Sequence, residues 1–175
     1  MDFRDILKLA LKEYEDEAKR LLEGLTEQER RFMPSPESHH IDFAIWHSIR
    51  AEDALLNYGA KESEQVWKKD EWYVKFGIPA ADVGGGYTIE QVKGMPPLEV
   101  ANLIQYYDAV RKETLAYVDS VDPGELELRS PFEKLHIQFP GITKGQVLSH
   151  IVVETAQHLG QIAYIRGIIL SLIHI

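Results

Sequence analysis

The sequence predicts an all-α fold: a four-helix bundle with a long, partly helical connection between helices two and three. Three observations predict it. Four long segments repeat apolar side chains at three- and four-residue spacings, capping-box patterns stand before helical turns, and no segment reads as a convincing sheet.

The first segment, residues 3–24, places Phe3, Ile6, Leu7, Ala10, Leu11, Tyr14, Ala18 and Leu21 on one face, with Gly24 as its stop. Thr26 and Glu29 form a capping-box pattern for a short turn before Pro34 and Pro36 break the chain. The second helix is expected from Ser38 to Tyr58, ending at Gly59. It is apolar over a broad arc that includes Ile41, Phe43, Ile45, Trp46 and Ile49, so it should be largely buried. A long connection, 60–95, carries Trp67, Trp72, Tyr73, Phe76 and Tyr87 around Gly84-Gly85-Gly86, with a capped turn at Thr88 to Gln91. Long loops inside compact domains are commonly functional, so this one is a candidate cover for a pocket. Pro96 and Pro97 are expected in the first turn of a third helix reaching Val121. The stretch 122–142 is connection, in which Leu126, Leu128, Leu135, Ile137 and Phe139 alternate enough for short extended pieces. Thr143 and Gln146 then cap the fourth helix.

A chain of 175 residues is long enough for one domain and short for two, and a single domain over 1–169 is expected. The last six residues, Leu170 to Ile175, read as the translation of a sequencing adapter on a truncated final helix, so His174 is set aside. With 28 acidic against 19 basic residues and no basic cluster, neither nucleic acid nor an anionic membrane is expected as a partner. The absence of cysteine excludes a disulfide framework, a thiolate metal site and a protein-borne thiol nucleophile. No signal peptide is visible, and the apolar end Gly167 to Ile175 is far shorter than the roughly 20 residues that span a bilayer. A cytoplasmic protein is expected. Gly84-Gly85-Gly86 lacks the spacing and the Lys-Ser/Thr of a phosphate loop.

The functional anomaly lies in the fourth helix. His150, Glu154 and His158 follow one another at i, i+4 steps, on the arc that also holds Val147, Ile151, Ile162 and Ile165. Two imidazoles and a carboxylate on a face to be buried need a partner, and a metal ion satisfies that combination. Glu154 and His158, one turn apart, can converge on one ion, and His47 of the buried second helix is the candidate third ligand. Taken singly each has a plainer role: His47 as a hydrogen-bonded core residue, Glu154 as a pocket carboxylate or partner of Arg166, His158 as a histidine bonded to a carbonyl. Their joint placement favours the metal site. His150 is a candidate alternative ligand, supporting donor or general base, and Gln161 a candidate supporting group. His39 and His40 look like solvated or capping residues, and Glu52 like half of an ion pair to a neighbouring helix.

The segments Ile45-Trp-His-Ser-Ile-Arg-Ala-Glu52 and His150-Ile-Val-Val-Glu-Thr-Ala-Gln-His-Leu-Gly-Gln161 resemble those of the DinB-like (DinB/YfiT) metal-binding four-helix bundles. Thr26 to Pro36 and Phe76 to Thr88 share the resemblance, which therefore covers nearly the whole chain. It implies a divalent metal held by His47, Glu154 and His158. Many such proteins resemble three-histidine sites, whereas this chain has Glu154 in the middle, as in members that use a low-molecular-weight thiol as co-substrate. Zinc is the first choice by ligand type, with nickel or iron(II) as alternatives. The expected function is a metal-dependent transferase joining a small thiol to a small, largely apolar electrophile, or a hydrolase using metal-bound water. The competing reading is a non-catalytic metal-binding or stress-response bundle. A homodimer is also expected from the resemblance.

Overall fold

Each long helix but the third begins where a side chain takes up backbone N–H groups that its first turn leaves unpartnered. The computed structural model describes residues 2–131 and 141–171, and these are all-α. Helix α1 is Phe3–Leu22, opened by a reciprocal cap between Asp2 and Asp5, and Gly24 turns the chain out of it at φ +73°. Helix α2 is the single turn Glu27–Arg30, with the Thr26–Glu29 capping box that the sequence predicts.

Helix α3 spans Ile41–Asp53 and runs on into a wider π-helical stretch, Ala54–Ala60. It starts later than the predicted Ser38 because His40 is its cap, the ring Nδ1 accepting from the Phe43 N–H at 3.0 Å. His40 is 2% exposed, so it caps the helix but is not solvated. The connection that follows holds α4 (Val66–Lys69), α5 (Trp72–Phe76) and α6 (Ile89–Lys93). Helix α4 is capped from outside: the Asp53 carboxylate of α3 accepts from the N–H groups of Val66 and Trp67 at 2.9 and 2.8 Å. Trp67, Trp72 and Phe76 are buried and pack around Tyr106, so these three aromatics of the connection do not cover a pocket. They are core.

The third long helix, α7, is Val100–Ser120 and leaves Pro96 and Pro97 outside its first turn. A residue before proline is pushed away from helical backbone, and Leu98, 2% exposed, is anchored through its carbonyl by Arg30. A 3₁₀ turn, Pro123–Glu127, leads to a short antiparallel bridge between Arg129 and Thr143. The predicted positions Leu135, Ile137, Phe139 and His174 lie outside the described residues. Helix α8 is Lys144–Leu170, opened by the predicted Thr143–Gln146 capping box. No described helix is long and apolar enough to cross a membrane.

Helices α1, α3, α7 and α8 pack together, with α3 against both α7 and α8. Buried ionic groups fix how they do so. Glu52 of α3 receives two hydrogen bonds from the Arg111 guanidinium of α7, at 2.9 and 2.7 Å, and a third from Thr114 at 2.7 Å. Arg111 also bonds the Leu11 carbonyl, tying α1 into the same cluster. This is the ion pair expected of Glu52.

Arg111→Ala would strand the Glu52 carboxylate in the core, and should cost about 3–5 kcal/mol in urea unfolding. A loss below about 1 kcal/mol, the worth of a surface pair, would contradict this packing. A second prediction concerns His40, whose ring is fully committed, Nδ1 accepting from Phe43 and Nε2 facing the Val92 carbonyl at 3.2 Å. Burial pushes its pKa down from 6.5 to about 4, so the unfolded chain takes the proton first. The stability that depends on neutral His40 is complete above pH 6.5 and is lost as the pH falls toward 4. Urea midpoints should fall across that window, and less steeply in His40→Asn, which keeps a capping oxygen but cannot titrate there. Equal slopes for the two proteins would show that His40 is not the group responsible.

Candidate metal centre

Packing of α3 against α8 brings His47, Glu154 and His158 together. One ligand atom from each lies within 4.8 Å of the other two. Nε2 of His47 is 3.5 Å, and Nε2 of His158 3.2 Å, from the same oxygen, Oε1 of Glu154. The two rings stand edge to face with centroids 4.8 Å apart.

What lies behind each ring decides what faces the centre. Nδ1 of His47 is 2.5 Å from the carbonyl oxygen of Val83, which can only accept, so Nδ1 carries a proton. In the neutral ring Nε2 then presents a lone pair toward Glu154. Nδ1 of His158 is likewise 2.8 Å from Oε1 of Gln161. Two imidazole lone pairs and a carboxylate oxygen therefore converge, and such a group stays together only with a cation among its members. A proton or a metal ion meets the requirement, and the three residues form a group that can hold a metal. With protons on the two Nε2 atoms in place of a metal, hydrogen bonds from His158 and then His47 hold the Glu154 carboxyl well below the usual carboxylate range, against burial that would raise it.

The three side chains are 14%, 21% and 12% exposed, for His47, Glu154 and His158. They sit at the rim of the apolar stripe, not in its middle. The stripe itself is Val147, Ile151, Ile162 and Ile165, all buried. The group is therefore partly exposed and not sealed in the core.

His150 is set apart from the three. Its Nε2 is 3.9 Å from the other oxygen, Oε2 of Glu154, and its side chain is 28% exposed. Arg166 does not pair with Glu154; it donates to the carbonyls of Leu21 and Glu23 at the end of α1, at 2.9 and 2.8 Å. His39 is half-buried against Phe43, and burial lowers its pKa.

The sequence gives no side-chain signal for the backbone behind His47. The turn 82–87 lays its main chain against the ring, while Phe43 stacks on the ring with centroids 5.6 Å apart. The turn is tied down at Asp82, whose carboxylate accepts from the Tyr87 hydroxyl at 2.5 Å and whose carbonyl accepts from Arg50 at 3.2 Å. Gly84, at φ +85° against the ring, permits this approach.

Comparison with known proteins bears on this arrangement. A family model described as the DinB superfamily matches residues 10–162. Among solved structures the chain is similar to a crystal structure of a conserved protein from Enterococcus faecalis, with a TM-score of 0.85 and 21% identity over 98% of this chain and 99% of that one. At that identity the likeness speaks for the fold alone. No curated protein matches the chain.

Proposed function

Because the chain belongs to the DinB superfamily, we propose that His47, Glu154 and His158 bind one divalent metal ion and that the ion serves catalysis. On this reading α1, α3, α7 and α8 are the four-helix bundle of that superfamily, with α4 to α6 inserted between its second and third members. The observation that carries the proposal is the Val83 carbonyl, which leaves Nε2 of His47 to face a carboxylate that a second imidazole also faces. The donor set of two imidazole nitrogens and one carboxylate oxygen suits zinc first, and nickel or iron(II) as well.

Three protein ligands with an exposed side support an open coordination position. A divalent ion there would act as a Lewis acid and lower the pKa of a bound water or small thiol. The protein's own groups do the positioning. Val83 and Gln161 hold the two imidazoles by their far nitrogens, and Glu154 offsets part of the ion's charge. Since the chain has no cysteine, any sulfur nucleophile comes from outside. We assign the reaction to transfer of a low-molecular-weight thiol onto a small electrophile, with hydrolysis as the outcome where water takes the open position. A purely structural ion joining α3 and α8 is the competing reading. It calls for a fourth protein ligand, and the group of converging ligand atoms holds three residues, with His150 outside it.

Protein purified without chelator or histidine tag should contain about one equivalent of divalent metal. The double variant Glu154→Ala, His158→Ala should contain none, by elemental analysis. If wild type carries no metal and takes up neither zinc nor nickel, the proposal fails. Given a loaded site, thiols presented with a fluorogenic electrophile should react faster with wild type than with the double variant, and equal rates would leave the structural reading.

A further inference from the structure

We infer that Gly84 is a positioning residue of the metal centre, because only a residue without a side chain lets the Val83 carbonyl hold His47 with Nε2 toward α8. The inference rests on the metal-binding reading proposed above. Gly84 is buried, whereas Gly85 and Gly86 beside it are exposed. Its φ is +85°, and a Cβ built on it would stand 2.8 Å from Nδ1 and 3.2 Å from Cγ of His47, and 2.8 Å from Cζ3 of Trp46. None of these neighbours is the far end of a flexible chain. Trp46 is fully buried in edge contact with Trp67, and the His47 ring is stacked on Phe43.

Retreat of the turn is resisted as well. Asp82 is held through its carbonyl by Arg50, which is 1% exposed and itself bonded to Asp53, Tyr106 and Gln65. A side chain at position 84 would therefore press on the His47 ring, lengthen its bond to Val83 and turn Nε2 away from Glu154 and His158. The neighbouring glycines separate this effect from ordinary backbone strain. Gly86 has the same left-handed backbone, at φ +76°, but a Cβ there meets nothing within 4 Å. At Gly85 the nearest atom is the Val83 Cγ2 at 4.0 Å. Gly86→Ala thus carries the conformational cost of Gly84→Ala without the contact.

The test compares wild type, Gly84→Ala and Gly86→Ala as full-length chains, with zinc affinity read by competition with a chromogenic chelator and apo melting followed by circular dichroism. Both variants should melt lower than wild type, but only Gly84→Ala should lose zinc affinity, by about tenfold to a hundredfold. Zinc affinities that are equal in the two variants would overturn the inference while leaving the metal reading intact, since a merely structural glycine lowers melting alone. Failure of wild type itself to bind zinc would overturn the metal reading and this inference together. A measurement independent of Gly84→Ala folding is the imidazole nitrogen spectrum of zinc-loaded wild type. Coordination of His47 through Nε2 with a proton on Nδ1 supports the inference, and coordination through Nδ1 overturns it.

Discussion

A main-chain carbonyl can only accept a hydrogen bond, and at Val83 this fixes which nitrogen of His47 is a donor and which faces α8. Without that bond the ring could turn over, and a neutral imidazole would present a proton to Glu154. With it, the lone pair of Nε2 joins those of His158 and Glu154, and the group is complete only around a cation. The arrangement depends on the turn 82–87 keeping its place, and hence on Arg50 beneath it. Arg50 lies 4.7 Å from the centroid of Trp67 and bonds Asp53, the same carboxylate that caps α4. A chain of buried charge thus runs from the connection's helices to the centre's rim.

Such buried charges are costly unless fully paired, and the core pairs them with backbone as well as side-chain partners. Arg30 joins Asp42 at 2.9 Å and reaches the carbonyls of Leu25 and Leu98. Glu52 takes Arg111 and Thr114 together. Apolar packing alone is non-directional and would tolerate small shifts between helices. Paired charges have one good geometry, so they fix α3, the helix that carries His47, against α7 and α1.

Much of this was legible in the sequence, because helices declare themselves through spacing and caps. The capping boxes at Thr26, Thr88 and Thr143 all form, and Glu154 and His158 meet because an i, i+4 step on a helix leaves two side chains little choice. His47 was readable as an imidazole on an otherwise apolar helix. The misreadings share one cause, which is that spacing cannot say what lies opposite. Trp67, Trp72 and Phe76 sit in a connection but fill the core around Tyr106. His40 sits at a helix start yet is buried, and Glu154 is 21% exposed at the rim of its face. The role of Val83 is carried by its backbone, which no residue type announces.

The central claim, that these three side chains hold one metal ion, is met most directly by a crystal structure of zinc-loaded protein with anomalous data collected at the zinc edge. The account predicts a single strong peak about 2.0–2.2 Å from Nε2 of His47, Nε2 of His158 and a carboxylate oxygen of Glu154. A peak elsewhere, or full zinc loading with these three atoms unligated, would contradict it.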